Sequence, residues 1–325
     1  MSKTKVFIYC CITAVALGIG ACARKTIVLE NRFAKGEEIR YLLTTKGEGT
    51  MSITGLPGQK SGTETAINLR TELAYTIKVK DVDTAGSADV ECTFQHFKST
   101  TQSGAMKIQT EADESGVRVM HGKEVIKGAP GIEDLRAIFE NPTLLKIDKR
   151  GKILSITPPS GVDLHLPHVN VCNILKQNQV LLPAGPVAVG GSWTEKRDIV
   201  LGGGMEERLP WTKGLKLDTT YSLDGIVDHG GRECADIAVR GDIAVKDMEL
   251  SPPGGSDMPM SVRMDHLKQR LDGHIYFDQQ RRRVLGFHLA TAQDAAVTMK
   301  MAKEGVAPFK SSTKMKMEAD LKLLE

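Results

Sequence analysis

Aromatic residues are scarce in this chain. They make up 5% of the 325 residues, and only Trp193 and Trp211 are tryptophan. Glycan-binding grooves stack sugar rings on exposed aromatics, so this scarcity argues against a peptidoglycan or glycan role. Cysteine is scarce as well. Of the 6 cysteines, Cys10 and Cys11 lie in an apolar leader, and beyond Cys22 only Cys92, Cys172 and Cys234 remain. Three thiols permit at most one bridge, and a chain this long buries enough core to need none. If a bridge forms, Cys92–Cys234 is the pair expected. Net charge is also nearly absent, with 43 basic residues against 40 acidic ones. Losing Lys3 and Lys5 with the leader brings the remaining body closer to neutral, which leaves no electrostatic case for nucleic acid.

Motifs for chemistry are missing too. No Gly-x-Ser-x-Gly elbow is present; Gly190-Gly191-Ser192-Trp193 lacks the second glycine and reads as a turn entering a strand. Gly202-Gly203-Gly204 has no following Lys-Ser or Lys-Thr, so it is not a phosphate loop. His165 and His168 stand three apart after Asp163, but Pro167 between them breaks helical spacing and no second ligand cluster follows. That is short of the three or four ligands zinc wants. The other histidines, His96, His121, His229, His266, His274 and His288, are scattered. Neither a metal nor a cofactor is expected. Cys92 and Cys234 sit in alternating runs, where a thiol serves as a small buried hydrophobe. The basic run Arg281-Arg282-Arg283 reads as a solvated turn.

What the chain does have is two-residue periodicity. Leu73, Tyr75, Ile77 and Val79 share one face of a run, and Val297–Met301 and Lys314–Met317 alternate strictly. Such runs bury one face and wet the other, the mark of antiparallel sheet. Turn clusters separate them at Leu56-Pro57-Gly58, Asp83–Gly86, Lys149–Gly151 and Asp228–Gly231. Two stretches have helical spacing. Leu135, Ile138 and Phe139 form a stripe near 133–141, and Val171, Cys172, Leu175 and Gln179 form one within 168–180. The expected fold is mainly β, with strongly curved antiparallel sheets and one or two short helices.

Internal echoes point to two related halves. Leu69–Tyr75 resembles Leu215–Tyr221, and each run goes on to a turn and a Glu-Cys pair, Glu91-Cys92 and Glu233-Cys234. Lys35–Ile39 pairs with Val189–Trp193, and Ile147–Leu154 with Phe277–Leu285. The expected divisions are a leader over 1–21, a first β-rich half over 22–182, and a second over 183–325.

The leader has two lysines by residue 5, an apolar run from Val6 to Ala21, and then Cys22. The run is shorter than the roughly 20 residues that span a bilayer, and a basic start with small residues before a cut is an export signal. Ile19-Gly20-Ala21-Cys22 resembles the bacterial lipoprotein signal. That resemblance implies acyl chains on Cys22 and residence in the cell envelope. Ala23 in place of aspartate implies sorting to an outer membrane, facing the periplasm. Phe33–Tyr41, Leu182–Trp193 and Gly273–Asp278 also resemble a family of bacterial envelope proteins with a domain of unknown function. By fold-level analogy the curved sheets are similar to those of envelope lipid carriers.

With no catalytic constellation, the reading favoured is a non-enzymatic lipoprotein that binds a partner, such as an envelope protein, or scaffolds the envelope. A second reading is a carrier of an apolar ligand such as lipid. Met299, Met301, Met315 and Met317 would line its soft floor, because methionine adapts to irregular apolar shapes. A third is an envelope hydrolase whose residues converge only in three dimensions.

Overall fold

The computed structural model describes residues 26–55, 64–128, 131–162, 174–176, 178–198, 216–250, 260–301 and 308–324. The alternating runs are strands. In chain order they are β1 (Thr26–Ile27), β2 (Glu38–Thr54), β3 (Glu64–Val82), β4 (Ala88–Ser103), β5 (Met106–Asp113), β6 (Gly116–His121), β7 (Glu124–Val125), β8 (Thr143–Ile147) and β9 (Ile153–Thr157). The later ones are β10 (Val187–Ala188), β11 (Ser192–Asp198), β12 (Lys216–Asp228), β13 (Glu233–Leu250), β14 (Met260–Asp278), β15 (Arg283–Met301) and β16 (Phe309–Leu324). One helix, α1 (Ile132–Glu140), buries Leu135 and Ile138, as its stripe predicts, and carries Glu133 and Asp134 in its first turn. Of the second helical stretch, residues 174–176 are helical, and 168–173 and 177 lie outside the described residues.

Fourteen of these strands form one antiparallel sheet, curved but not closed. Its order is β11-β12-β13-β14-β15-β16-β2-β3-β4-β5-β6-β7, with β8 on β4 and β9 on β8. The last strand, β16, therefore pairs with β2, and the two related halves lie side by side in one sheet. β1 and β10 make a separate two-stranded piece.

The duplication is visible in hydrogen bonds. Before β2, the Gly36 N–H donates to Val79 O at 2.9 Å and the Val79 N–H to Glu37 O at 2.9 Å. Before β11, the Gly190 N–H donates to Leu223 O at 2.7 Å and the Leu223 N–H to Gly191 O at 2.9 Å. Both glycines are left-handed, φ 84° and 81°, a conformation that a Cβ opposes. Further on, Ala88 pairs with Ile147 and Val90 with Leu145. In the second half, Ala235 pairs with Phe277 and Ile237 with Ile275. Asp148 and Asp278 follow at equivalent turns. Asp148 Oδ1 accepts from the N–H groups of Arg150 and Lys152, and Asp278 Oδ1 from those of Gln280 and Arg281.

Thus β2, β3, β4, β8 and β9 match β11, β12, β13, β14 and β15. Two of the three echoes keep register. The third does not: counted from the opening turns, Tyr221 matches Ile77 rather than Tyr75. Cys92, opposite Ile77, accordingly matches Val239, opposite Tyr221, and not Cys234. The halves differ in one insertion. The first part of β4 pairs with β8, and its later part with β5, which leads through β6 and β7 to α1. In the second half β13 keeps one partner, β14, from Cys234 to Leu250.

Segments ahead of the opening turns tie the halves together. The Asn31 N–H donates to Lys149 O at 2.7 Å, the Arg32 N–H to Arg282 O at 2.9 Å, and the Leu182 N–H to Arg150 O at 2.9 Å. Glu30 pairs with Lys149 and Arg282, Glu37 with Arg283, and Glu195 with Arg150. Leu29 and Leu182 are buried under these ties, at 1% and 0% exposure.

The core lies on one side of the sheet. Leu43, Leu73, Phe97, Leu223, Ile237, Leu267, Ile275 and Phe277 are fully buried, and each contributes roughly 1.5–3 kcal/mol by leaving water. Glycines mark where strands cross too closely for a side chain. A Cβ on Gly273 would lie 2.2 Å from His288 O, and one on Gly286 would lie 2.4 Å from Leu321 O. Gly273→Ala should therefore cost about 2–3 kcal/mol, measured by thermal unfolding. Gly225→Ala, where a Cβ meets nothing within 4 Å, should unfold close to wild type.

Candidate functional site

Two concavities stand out. The first is a chamber of about 120 Å³ on the core-facing side of the sheet. Tyr41, Leu43, Tyr75, Leu145, Leu175 and Leu321 line it, and Arg32, Arg282 and Arg283 stand at its polar margin. Asn178, Gln179 and Val180 also line it, and Gln179 Oε1 accepts the Ile153 N–H at 3.0 Å. Trp193 stacks on Tyr221 at 5.3 Å and donates Nε1–H to Leu181 O at 3.1 Å, which fixes the following stretch.

The chamber's tyrosines begin an aromatic chain. Ring centroids are 5.6 Å apart for Tyr41–Tyr75, 6.4 Å for Tyr75–Phe94 and 5.9 Å for Phe94–Phe139, which reaches α1. The Tyr41 hydroxyl donates to Val284 O at 3.2 Å. Burial pushes the Tyr41 pKa up to about 12, against a smaller downward pull from Arg283. Burial also raises Tyr75 well above its ordinary value, helped by Tyr41 and Cys92.

The methionine strands β15 and β16 do pair. Met315 lies opposite Gln293 and Gly49, and Met317 opposite Thr291 and Gly47. Met299 lies opposite Phe309. The unbroken register puts Met299, Met315 and Met317 on one face, the same face as Leu321 of the chamber. All three are half-buried. A Cβ on Gly47 would sit 3.1 Å from Met317 Cγ, so glycine makes room for that side chain. Met301 pairs with Met260 in the backbone ladder.

The larger concavity has a volume of about 860 Å³. It crosses β13, β14, β15, β16, β2 and β3 at the row Ile243, Gln269, Gln293, Met315 and Gly49. Lys268, Arg270, Lys314 and Lys316 border it. These alternate with Leu267, Leu271 and Met315 and stand exposed on the outward side. The cleft shares Met315 with the methionine row and also takes Ile243, Ala244 and Ala292, and Glu48, Asp242 and Asp294 stand among the cations at its border. Sequence reasoning missed this cleft, because its residues come together only through strand pairing.

The other expected residues are apart. Cys92 and Cys234 are both fully buried and are not joined by a disulfide. They sit on β4 and β13, with β14, β15, β16, β2 and β3 between them in the sheet. A bridge needs Cα atoms within about 7 Å, so the expected pairing is corrected. Burial, with a smaller contribution from Asp278, raises the Cys234 pKa and makes that thiol a poor nucleophile. Cys22, Cys172, His165 and His168 lie outside the described residues. No group of three or more metal-ligating side chains occurs among the described residues. None of the described helices is long and apolar enough to cross a membrane.

The chain matches no protein-family model and no curated protein. Among solved structures it is similar to lipovitellin, in a structure titled for lipid–protein interactions, with 14% identity and a TM-score of 0.45. That alignment covers 90% of this chain and 26% of the other, so the chain spans about a quarter of it. DynF of the dynemicin pathway of Micromonospora chersina aligns at TM-score 0.19 and 6% identity, covering 92% and 85%. The translocator domain of the autotransporter NalP from Neisseria meningitidis aligns at 0.18 and 8%, covering 98% and 95%. At these scores the likenesses carry no functional argument.

One carboxylate steadies the methionine strands. Asp265 on β14 lies 3.0 Å from Lys310 Nζ and accepts the Thr298 hydroxyl at 2.9 Å and Arg263 Nε–H at 3.2 Å. Burial raises its pKa, but these donors outweigh burial and the net shift is downward. A depressed carboxylate adds stability above its unfolded pKa and loses it as pH falls through the folded value. Asp265→Asn should therefore destabilise the protein at neutral pH. In urea titrations the gap from wild type should shrink as pH drops below about 4. In an alkaline ultraviolet titration, Tyr41 and Tyr75 should both stay protonated beyond the ordinary tyrosine range, Tyr41 until about pH 12, and Tyr41→Phe should remove one phenol from that late component.

Proposed function

We propose that this protein is a non-enzymatic, envelope-anchored lipoprotein that binds an apolar ligand carrying an acyl chain. The observation that carries this reading is the core-facing side of the sheet. There Met299, Met315 and Met317 remain half-buried and share a face with the tyrosine- and leucine-lined chamber. Methionine accommodates irregular chains through its flexible, polarizable thioether. Each ligand CH₂ buried there contributes about 0.8 kcal/mol. The chamber takes one end of such a chain, and the methionine row supports the rest.

The leader supports the membrane side of the proposal. An acylated Cys22 holds the protein at the envelope; more than one chain gives durable attachment, because a single chain binds only reversibly. Binding of another envelope protein is the competing role, and the cations Lys268, Arg270, Lys314 and Lys316 that border the larger cleft favour it.

Mass spectrometry of gently purified protein should show co-purifying lipid. Met315→Glu with Met317→Glu should abolish it while leaving the strand signal in circular dichroism intact. Protein that is empty when isolated from membranes and takes up no fatty acid from vesicles would sink the carrier reading. Cys22→Ala should move the protein to soluble fractions or leave it as uncut precursor. Normal membrane retention without acyl label would refute the anchor.

A further inference from the structure

We propose that the ligand's chain is joined to its head by a neutral carbonyl, an ester or an amide, and that Gln269 and Gln293 bind that group. This rests on the apolar-ligand reading above and names the class of lipid the site takes. The two glutamines are direct partners across β14 and β15, and Gln293 is in turn opposite Met315 on β16. All three line the larger cleft, together with Ile243.

Gln269 breaks the pattern of its strand. The inward positions of β14 from Leu267 onward are Leu267, Gln269, Leu271, Gly273, Ile275 and Phe277. Leu267 and Leu271 on either side are buried, at 0% and 7% exposure, and Gln269 between them is half-buried. Gln293 is half-buried as well. Neither amide has a hydrogen-bond partner among the described residues. An amide offers two N–H donors and a carbonyl acceptor. Half-buried and unpartnered, it favours a ligand that supplies the missing bonds. Directly opposite positions hold Cβ atoms about 4.5–5.5 Å apart, so both amides can donate to one carbonyl oxygen.

Chain length brings a ligand carbonyl to this pair. From Leu321 in the chamber wall to Met315 is continuous strand, about 20 Å at roughly 3.3 Å per residue. A long acyl chain with its methyl end in the chamber covers that distance along Met317 and delivers its head to the glutamines. Charge decides which head. The core-facing row through Ile243, Gln269, Gln293, Met315 and Gly49 holds no ionisable side chain. Lys268, Arg270, Lys314 and Lys316 occupy the alternate, outward positions. An ionised carboxylate would enter this row without a counter-charge, at a desolvation cost that a neutral ester or amide avoids.

The test uses full-length protein stripped of bound lipid and a fluorescent fatty-chain probe, displaced at neutral pH by monopalmitoylglycerol, palmitic acid or hexadecane. Wild type should bind monopalmitoylglycerol about tenfold more tightly than hexadecane, the value of two ordinary hydrogen bonds, and more tightly than ionised palmitate. Gln269→Leu with Gln293→Leu should erase the preference for the ester over hexadecane. Hexadecane binding should persist in that variant, which shows that it is folded. Gln293→Met, closer in shape, should lower the preference part of the way. Equal binding of the ester and either competitor by wild type, or an undiminished ester preference in the variants, overturns this proposal and leaves the carrier reading standing. Failure of wild type to bind any of the three removes the carrier reading and this proposal together.

Discussion

The pairing of β16 with β2 is the contact on which the rest of the structure depends. It runs without a break from Lys310 opposite Thr54 to Leu324 opposite Arg40. Through this ladder the last strand of the second half meets the first long strand of the first half. It sets Leu321 opposite Leu43 and Met317 opposite Gly47. A slip of one residue would turn every side chain of β16 to the other side of the sheet. The methionine row would then face water, and the chamber would lose the wall that Leu321 provides.

The two sides of the sheet have separate chemistry because of that fidelity. Inward positions carry the core, the tyrosines and the methionines. Outward positions carry the lysines that border the larger cleft and the histidine–carboxylate pairs. Neither side is interrupted at the junction between halves, since β15, β16, β2 and β3 are continuous neighbours.

The repeat supplies most of the sheet. Each half builds the same five-strand unit, and each opening turn is held by the same pair of backbone bonds. The connecting segments then lie over both homologous turns, where Glu30 bridges Lys149 and Arg282. The first half departs from the pattern where β5, β6, β7 and α1 enter. That insertion caps the aromatic chain with Phe139 and extends the sheet past β4.

Alternation of apolar and polar residues determined the strands, their inward faces and the antiparallel class, because side chains in a strand point to opposite sides with period two. It also determined α1, from Leu135, Ile138 and Phe139 at helical spacing. Local turn chemistry made Asp148 and Asp278 recognisable as equivalents. Only the tertiary structure decided register. The resemblance of Tyr75 to Tyr221 and of Cys92 to Cys234 is out of step by two or more positions, and sequence has no means to detect this. Partners across strands are set by long-range pairing, so His274 and His288, 14 residues apart and scattered to the eye, became neighbours only when β14 met β15.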